Sequence, residues 1–124
     1  MRFVVHEHWA RRHHFDFRLE MDGALRSWAV PKGVPTTPGE KRLAVSVEDH
    51  ALSYIDFEGR IEEGYGKGDV RIFDRGEYEL EERGPRKLVF VLGGSILNGR
   101  YVLIHWKEND WLMLKKNEMG TELI

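Results

Sequence analysis

From residue 14 the chain alternates strictly. The stretch "HFDFRLEM" (14–21) sets His14, Asp16, Arg18 and Glu20 on one side and Phe15, Phe17, Leu19 and Met21 on the other, the period-two signature of a strand with one buried face. The dipeptide "DG" at 22–23 reads as a hairpin turn into "ALRSWAV", because Asp-Gly tolerates the positive φ angles of a two-residue connection. The next segment, "PKGVPTTPGEK" (31–41), holds three of the four prolines and is predicted to be a long loop. Beyond it "RLAVSVED" (42–49) alternates again. Its pattern predicts Leu43, Val45 and Val47 inward, with Arg42, Ala44, Ser46 and Glu48 outward.

"GRIEEGYGKGDVRIF" reads as a glycine-punctuated loop feeding a strand, with "DRG" turning the chain back into "EYELEE". The strands "KLVFVL", "GRYVLIHW" and "DWLMLKK" follow, the last two joined by the turn "KEN". No long helix is predicted. About eight short strands separated by turn signals point to an all-β fold. The expected architecture is a small antiparallel barrel with peripheral loops, in which closure hides the sheet edges.

Length and composition narrow this picture. The 124 residues fit one domain over 1–124, enough to bury a core without staples. Hydrophobic residues make up 41% and charged residues 32%, an ordinary globular mixture. With no cysteine in the chain, disulfides, thiolate zinc sites and a catalytic thiol are excluded, so any metal must be held by His, Asp or Glu. The opening "MRFVVHEH" has only a three-residue apolar run, too short for a signal peptide or a membrane span. A cytoplasmic protein is therefore expected. A net charge of −2 exerts no global pull on nucleic acid, though a local basic patch could.

The chemistry concentrates in "HEHWARRHHFDFRLE" (6–20), which contains His6, His8, His13 and His14. Taken singly, each is best read as a surface histidine. Four within nine positions, abutting a His-x-Asp on a polar strand face, favour a metal site. Period two places His14 and Asp16 on one face, and a histidine returned by the preceding turn completes a His, His, carboxylate set. His14 is preferred to His13 because it shares the parity of Asp16. His8 is preferred to its rival His6. Manganese, cobalt, zinc and ferrous iron all suit these ligands. Arg18, next on that face, matches phosphate geometry, while its bland reading is a surface ion pair with Glu20 or Glu48. Lys32, Arg42, His50 and Tyr54 carry little weight individually. "GYGKG" (64–68) lacks the Walker spacing and reads as a flexible rim.

Three long segments, "HFDFRLEMDGALRSWAVPKG", "KRLAVSVEDHALSYIDFEGRI" and "GDVRIFDRGEYEL", together closely resemble the phosphoesterase module of bacterial DNA ligase D and its free-standing archaeal and bacterial relatives. The resemblance runs from about Phe3 to about Lys116. It implies a manganese-dependent 3′-end-healing enzyme on a small β-barrel, with its active site in a groove on the outer surface. Such enzymes remove a 3′-terminal ribonucleoside to leave a 3′-phosphate, then hydrolyse that phosphate to a 3′-hydroxyl. The implied substrates are 3′ ends of DNA or RNA-containing primer strands, and the implied partners a DNA ligase or polymerase of an end-joining system.

By motif position the resemblance makes His8, His14 and Asp16 metal ligands, Arg18, His50 and Tyr54 catalytic or phosphate-handling groups, and Lys32 and Arg42 substrate-binding residues. Against the family pattern, the sequence begins almost at the first motif, without the acidic and basic residues that ligase D supplies from an N-terminal extension. An altered substrate affinity or balance of the two activities is expected. The loop "EEGYGKG" is one residue shorter than usual and lacks a proline, and His105 stands where the family often has arginine. Two other classes compete: a non-catalytic nucleic-acid-binding barrel using Trp9, Trp28 and Tyr65 as stacking platforms, and a ferrous oxygenase with the same triad.

Overall fold

The computed structural model describes residues 1–117. Among these residues nine strands run in chain order: β1 (Arg2–Trp9), β2 (His13–Met21), β3 (Ala24–Val30), β4 (Lys41–Ala51), β5 (Gly59–Ile61), β6 (Gly68–Arg83), β7 (Lys87–Gly94), β8 (Asn98–Lys107) and β9 (Asp110–Lys115). Among the described residues one short 3-10 turn, Leu52–Asp56, interrupts them. The sheet order is β1-β2-β3-β4-β9-β8-β7-β6-β5, and pairing of β1 with β6 closes eight of these strands into an antiparallel barrel. The small strand β5 adds to β6 outside the closure. The all-β barrel expected from the alternation is the one observed.

Inside the barrel, Phe3, Phe17, Leu19, Trp28, Phe90, Tyr101, Leu103 and Met113 are fully buried. Phe90 stacks at 5.7 Å on Phe17 and at 6.2 Å on Tyr101. The β2–β3 hairpin has the expected two-residue turn, with Asp22 at φ 55° and Gly23 at φ 81°.

Two readings of the alternation are corrected. In β4 the parity is the reverse of the predicted one: Ala44 is buried while Leu43 is 43% exposed. The reason lies across the sheet. Ala44 pairs with Trp111, and Trp111 packs edge-on against Trp28 at 5.8 Å, so two indoles fill the volume that a larger inward residue would need. Outside, Leu43 joins Leu112 and Ile104 in an apolar row across β4, β9 and β8. Arg42 shares the parity of Ala44, and its guanidinium is tied to Glu40 at 2.8 Å.

The "DRG" stretch (74–76) is not a turn but the middle of the sixteen-residue β6. There the strand changes partners, its first part pairing with β1 and β5 and its second with β7. Gly76 permits the crossover, since a Cβ there would collide with the Gly93 carbonyl oxygen. Asp74 holds the β7–β8 connection: its carboxylate accepts the backbone N–H groups of Ser95, Ile96 and Leu97 at 3.0, 3.1 and 2.8 Å. Asp74→Ala leaves three donors unpaired and is expected to lower unfolding free energy by about 2–4 kcal/mol in urea titrations. A loss under about 0.5 kcal/mol contradicts this account.

Candidate active site

The polar face of β2 does lie outside the barrel, as period two requires, but it is not a solvated surface. Asp16 is 6% and Arg18 3% exposed. Cross-strand register builds the layer: on β1 and β2, His8 faces His14, His6 faces Asp16 and Val4 faces Arg18, while on β3 Ser27 faces Arg18. Above it, the 3-10 turn folds back over the sheet. Ile55 packs with Val4 and Leu25 in a small second apolar cluster, with Leu52, Tyr54 and Ile72 against it. This outer cluster seats Tyr54 beside the charged residues.

His8, His14 and Asp16 form one group whose candidate ligand atoms all lie within 4.8 Å of one another. The orientation of each ring follows from its hydrogen bonds. His14 Nδ1 donates to the Arg12 carbonyl at 2.9 Å, leaving Nε2 toward Asp16 Oδ1 at 3.2 Å. His8 Nε2 donates to the Gly66 carbonyl at 2.7 Å, leaving Nδ1 toward Asp16 Oδ2 at 3.3 Å. Carbonyls thus hold both outer N–H groups, the arrangement that turns imidazole lone pairs toward a cation. Two imidazole nitrogens and a carboxylate are a donor set for a divalent transition metal. Among the described residues, this is the group that fits one.

The electrostatics agree with an ionised centre. The Asp16 hydrogen bond holds the His14 pKa above its ordinary value despite burial. Burial pushes the Asp16 carboxyl upward, yet the His14 hydrogen bond and the Arg18 charge outweigh it and the net shift is downward. Arg18 is shifted down by burial but remains a cation. Its Nε donates to His6 Nδ1 at 3.0 Å, one terminal nitrogen donates to Ser27 Oγ at 2.9 Å, and the other lies 3.4 Å from Asp16 Oδ2. Two of its five N–H donors are hydrogen-bonded and a third nitrogen is ion-paired, and the remaining N–H groups suit an oxyanion.

Tyr54 joins the catalytic candidates together. The Arg18 guanidinium lies 5.0 Å over its ring, and His50 stacks on it at 4.5 Å. Phe57 stacks on Tyr54 at 4.9 Å, and the His6 ring meets its edge at 5.2 Å. Burial and then the Arg18 charge lower the His50 pKa, while burial raises that of Tyr54.

Lys32 and Arg42 are not brought into this group. Lys32 is exposed beyond the end of β3, and Arg42 is held by Glu40; among the described residues neither bonds to the His, Asp and Arg group. His105 lies elsewhere, bonded to the Glu108 carbonyl at 2.8 Å and against Trp111. His13 pairs with Glu7 at 2.7 Å.

Residues 6–105 match the family described as DNA Ligase D 3′-phosphoesterase domain. The chain belongs to this family. It is 48% identical over 130 residues to the multifunctional non-homologous end joining protein LigD of Pseudomonas aeruginosa, covering 95% of this chain and 15% of that protein. Against the Mycolicibacterium smegmatis protein of the same name the identity is 47% over 123 residues, covering 90% and 16%. Against the non-homologous end joining DNA repair protein LigD of Mycobacterium tuberculosis H37Rv it is 46% over 115 residues, covering 89% and 15%. The chain therefore spans about one-sixth of the length of these curated LigD relatives. Among the described residues, no helix is long and apolar enough to cross a membrane.

Sequence reasoning treated His6 only as a rival ligand and missed Ser27 and Gly66. His6 is fully buried and bonds to Arg18 rather than joining the candidate metal group. Ser27 had a local signal, as the polar residue at the centre of the outward parity of "ALRSWAV", and its hydroxyl proton is committed to the Leu25 carbonyl at 3.1 Å. Gly66 had none, since fifty-eight residues separate it from His8.

Burial, and then the Arg18 charge, lowers the His6 pKa to about 4. Between pH 6.5 and 4 the unfolded chain therefore binds a proton that the folded one refuses, so stability falls as pH drops through that window. His50 adds to the trend, whereas His14, with its raised pKa, opposes it. In metal-free protein the His6 contribution is on the order of 3 kcal/mol. His6→Asn should flatten the pH dependence of urea unfolding; an unchanged slope counts against a neutral buried His6.

Proposed function

We propose that this domain is a divalent-metal-dependent 3′-end phosphoesterase of DNA end joining, with manganese as its working ion. Its substrates are 3′ ends of DNA or RNA-containing primer strands, handled in the cytoplasm alongside a ligase or polymerase. In the first step water adds to phosphorus and the bond to O5′ of the terminal ribonucleoside breaks, leaving a 3′-phosphate. In the second, water displaces the strand's 3′ oxygen and inorganic phosphate departs. The observation that carries this reading is the convergence of His8 Nδ1, His14 Nε2 and the Asp16 carboxylate beside a buried guanidinium that keeps N–H donors outside its hydrogen bonds to His6 and Ser27.

His8, His14 and Asp16 would hold the cation, which supplies Lewis acidity toward a non-bridging phosphate oxygen. Arg18 binds a second oxygen through its fork, in a layer roofed against water where such bonds are strong. His50, neutral at rest because its pKa is lowered, donates its N–H to the phosphoryl group. Tyr54, protonated because its pKa is raised, orients Arg18 and His50 by stacking. Ser27, with its proton already donated, is no nucleophile, and water fills that role. Lys32, exposed beyond β3, is assigned to a neighbouring backbone phosphate, and Arg42 an indirect role through the Glu40 loop.

The non-catalytic alternative is weakened at one of its three platforms, because Trp28 is fully buried. A labelled primer-template ending in one 3′-ribonucleotide distinguishes the readings. With manganese it should be converted first to a 3′-phosphate and then to a 3′-hydroxyl end, and EDTA should stop both steps. Binding without any metal-dependent product favours the binding module.

A further inference from the structure

The loop between β5 and β6 is tied to the candidate metal group by a single hydrogen bond. Residues 62–67 are closed at their base by the pairing of Ile61 with Gly68 and folded internally by the bond from Lys67 N–H to the Gly64 carbonyl at 3.2 Å. This turn lays Gly66 against His8: a Cβ on Gly66 would stand 3.5 Å from His8 Cε1, and the Gly66 carbonyl accepts from His8 Nε2 at 2.7 Å. The neighbouring Tyr65 ring is wholly exposed.

A neutral imidazole carries one N–H. With the loop seated, that proton stays on Nε2 and the Nδ1 lone pair faces the Asp16 and His14 cluster. With the loop lifted, Nε2 loses its acceptor. The competing tautomer then gains, because Nδ1–H can donate to the Asp16 carboxylate 3.3 Å away. In that form the lone pair needed by a cation is occupied.

We propose that the Gly66 carbonyl is an outer positioning group of the metal centre, so that seating of the 62–67 loop on His8 sets metal affinity. The proposal rests on the metal reading above. Linkage makes the coupling reciprocal: whatever factor the seated loop adds to metal affinity, the bound metal adds to seating. Metal loading therefore quiets the loop.

Two variants lift the loop without touching a ligand. Gly64→Val forces a β-branched residue to φ 92°, where its Cβ meets no neighbour, so the turn is strained rather than crowded. Deletion of residues 65–66 removes the carbonyl outright. Tyr65→Ala trims the wholly exposed neighbouring ring, leaves the loop backbone intact and is the control.

Manganese affinity is read from the free-ion electron paramagnetic resonance signal. It should fall roughly 10–100-fold in the two loop variants and stay within about twofold of wild type in the control. The ring-nitrogen chemical shifts of His8 in metal-free protein should report the Nε2–H tautomer in wild type and a mixture in the variants. Trypsin cleavage after Lys67 should slow when manganese is added to wild type. Folded loop variants, checked by circular dichroism, that bind manganese as tightly as wild type overturn the proposal, as does an Nδ1–H tautomer in wild type. A wild-type protein that binds no manganese overturns the metal reading itself, whereas unchanged affinity in the variants removes only the loop's part in it.

Discussion

Asp16→Ala is expected to abolish manganese binding and both hydrolytic steps while the barrel still folds. The carboxylate is the one group in contact with both imidazoles and with Arg18, at 3.3, 3.2 and 3.4 Å. Its loss removes the anionic member of the candidate metal group and leaves two histidines facing an unbalanced guanidinium. Under the proposed function a rate loss of about 10³-fold or more is expected, since charge stabilisation at the phosphoryl group would depend on the cation. The fold survives because Asp16 belongs to the outer layer, whereas the barrel interior is built by Phe3, Phe17, Phe90 and Tyr101. His14→Ala should behave alike, and Asp16→Asn, with the shape kept and the charge gone, should also fail. Calorimetric titration with manganese, single-turnover assays and thermal melts on the same preparations decide the matter. Turnover within tenfold of wild type in either alanine variant refutes the ligand assignment.

Arg18→Lys is the second large effect, and it should separate catalysis from metal binding. The guanidinium spans His6, Ser27 and Asp16 at once and lies over Tyr54. An ammonium on a flexible stem cannot reproduce that planar fork. A loss of kcat of roughly 10²–10³-fold is expected, with manganese affinity within a few-fold of wild type because no ligand has been touched. Arg18→Ala should cost in addition about 2–3 kcal/mol of stability, since His6 Nδ1 and Ser27 Oγ lose their buried donor. If Arg18→Lys instead abolishes manganese binding with little further loss in rate, Arg18 belongs to the metal centre and not to the phosphate.

Comparable reasoning explains why some residues were legible from the chain and others were not. His14, Asp16 and Arg18 share a face through strand parity alone, and parity needs only consecutive residues. The β2–β3 hairpin is equally local, because Asp22 and Gly23 adopt positive φ whatever surrounds them. Parity does not say which face of a strand is inside. In β4 the apolar run Leu43, Val45 and Val47 pointed the wrong way because Trp28 and Trp111 occupy the interior at Ala44. Nor does a turn-like triplet say that the chain turns: at "DRG" the strand β6 continues, since Gly76 and Asp74 serve a change of partners from β1 to β7.

The sequence by itself determined a barrel-forming alternation, a cysteine-free choice of ligands, and the row His14, Asp16, Arg18 on one polar strand face. Only the tertiary structure put His8 with His14 and Asp16 in one candidate metal group and His6 on Arg18. It also brought His50 and Tyr54 onto the guanidinium, and placed Ser27 and the Gly66 carbonyl behind their partners. The physical reason is distance along the chain. Periodicity is a property of neighbouring residues, whereas register, barrel closure and the fold-back of the 3-10 turn join residues far apart, through packing that no local pattern encodes.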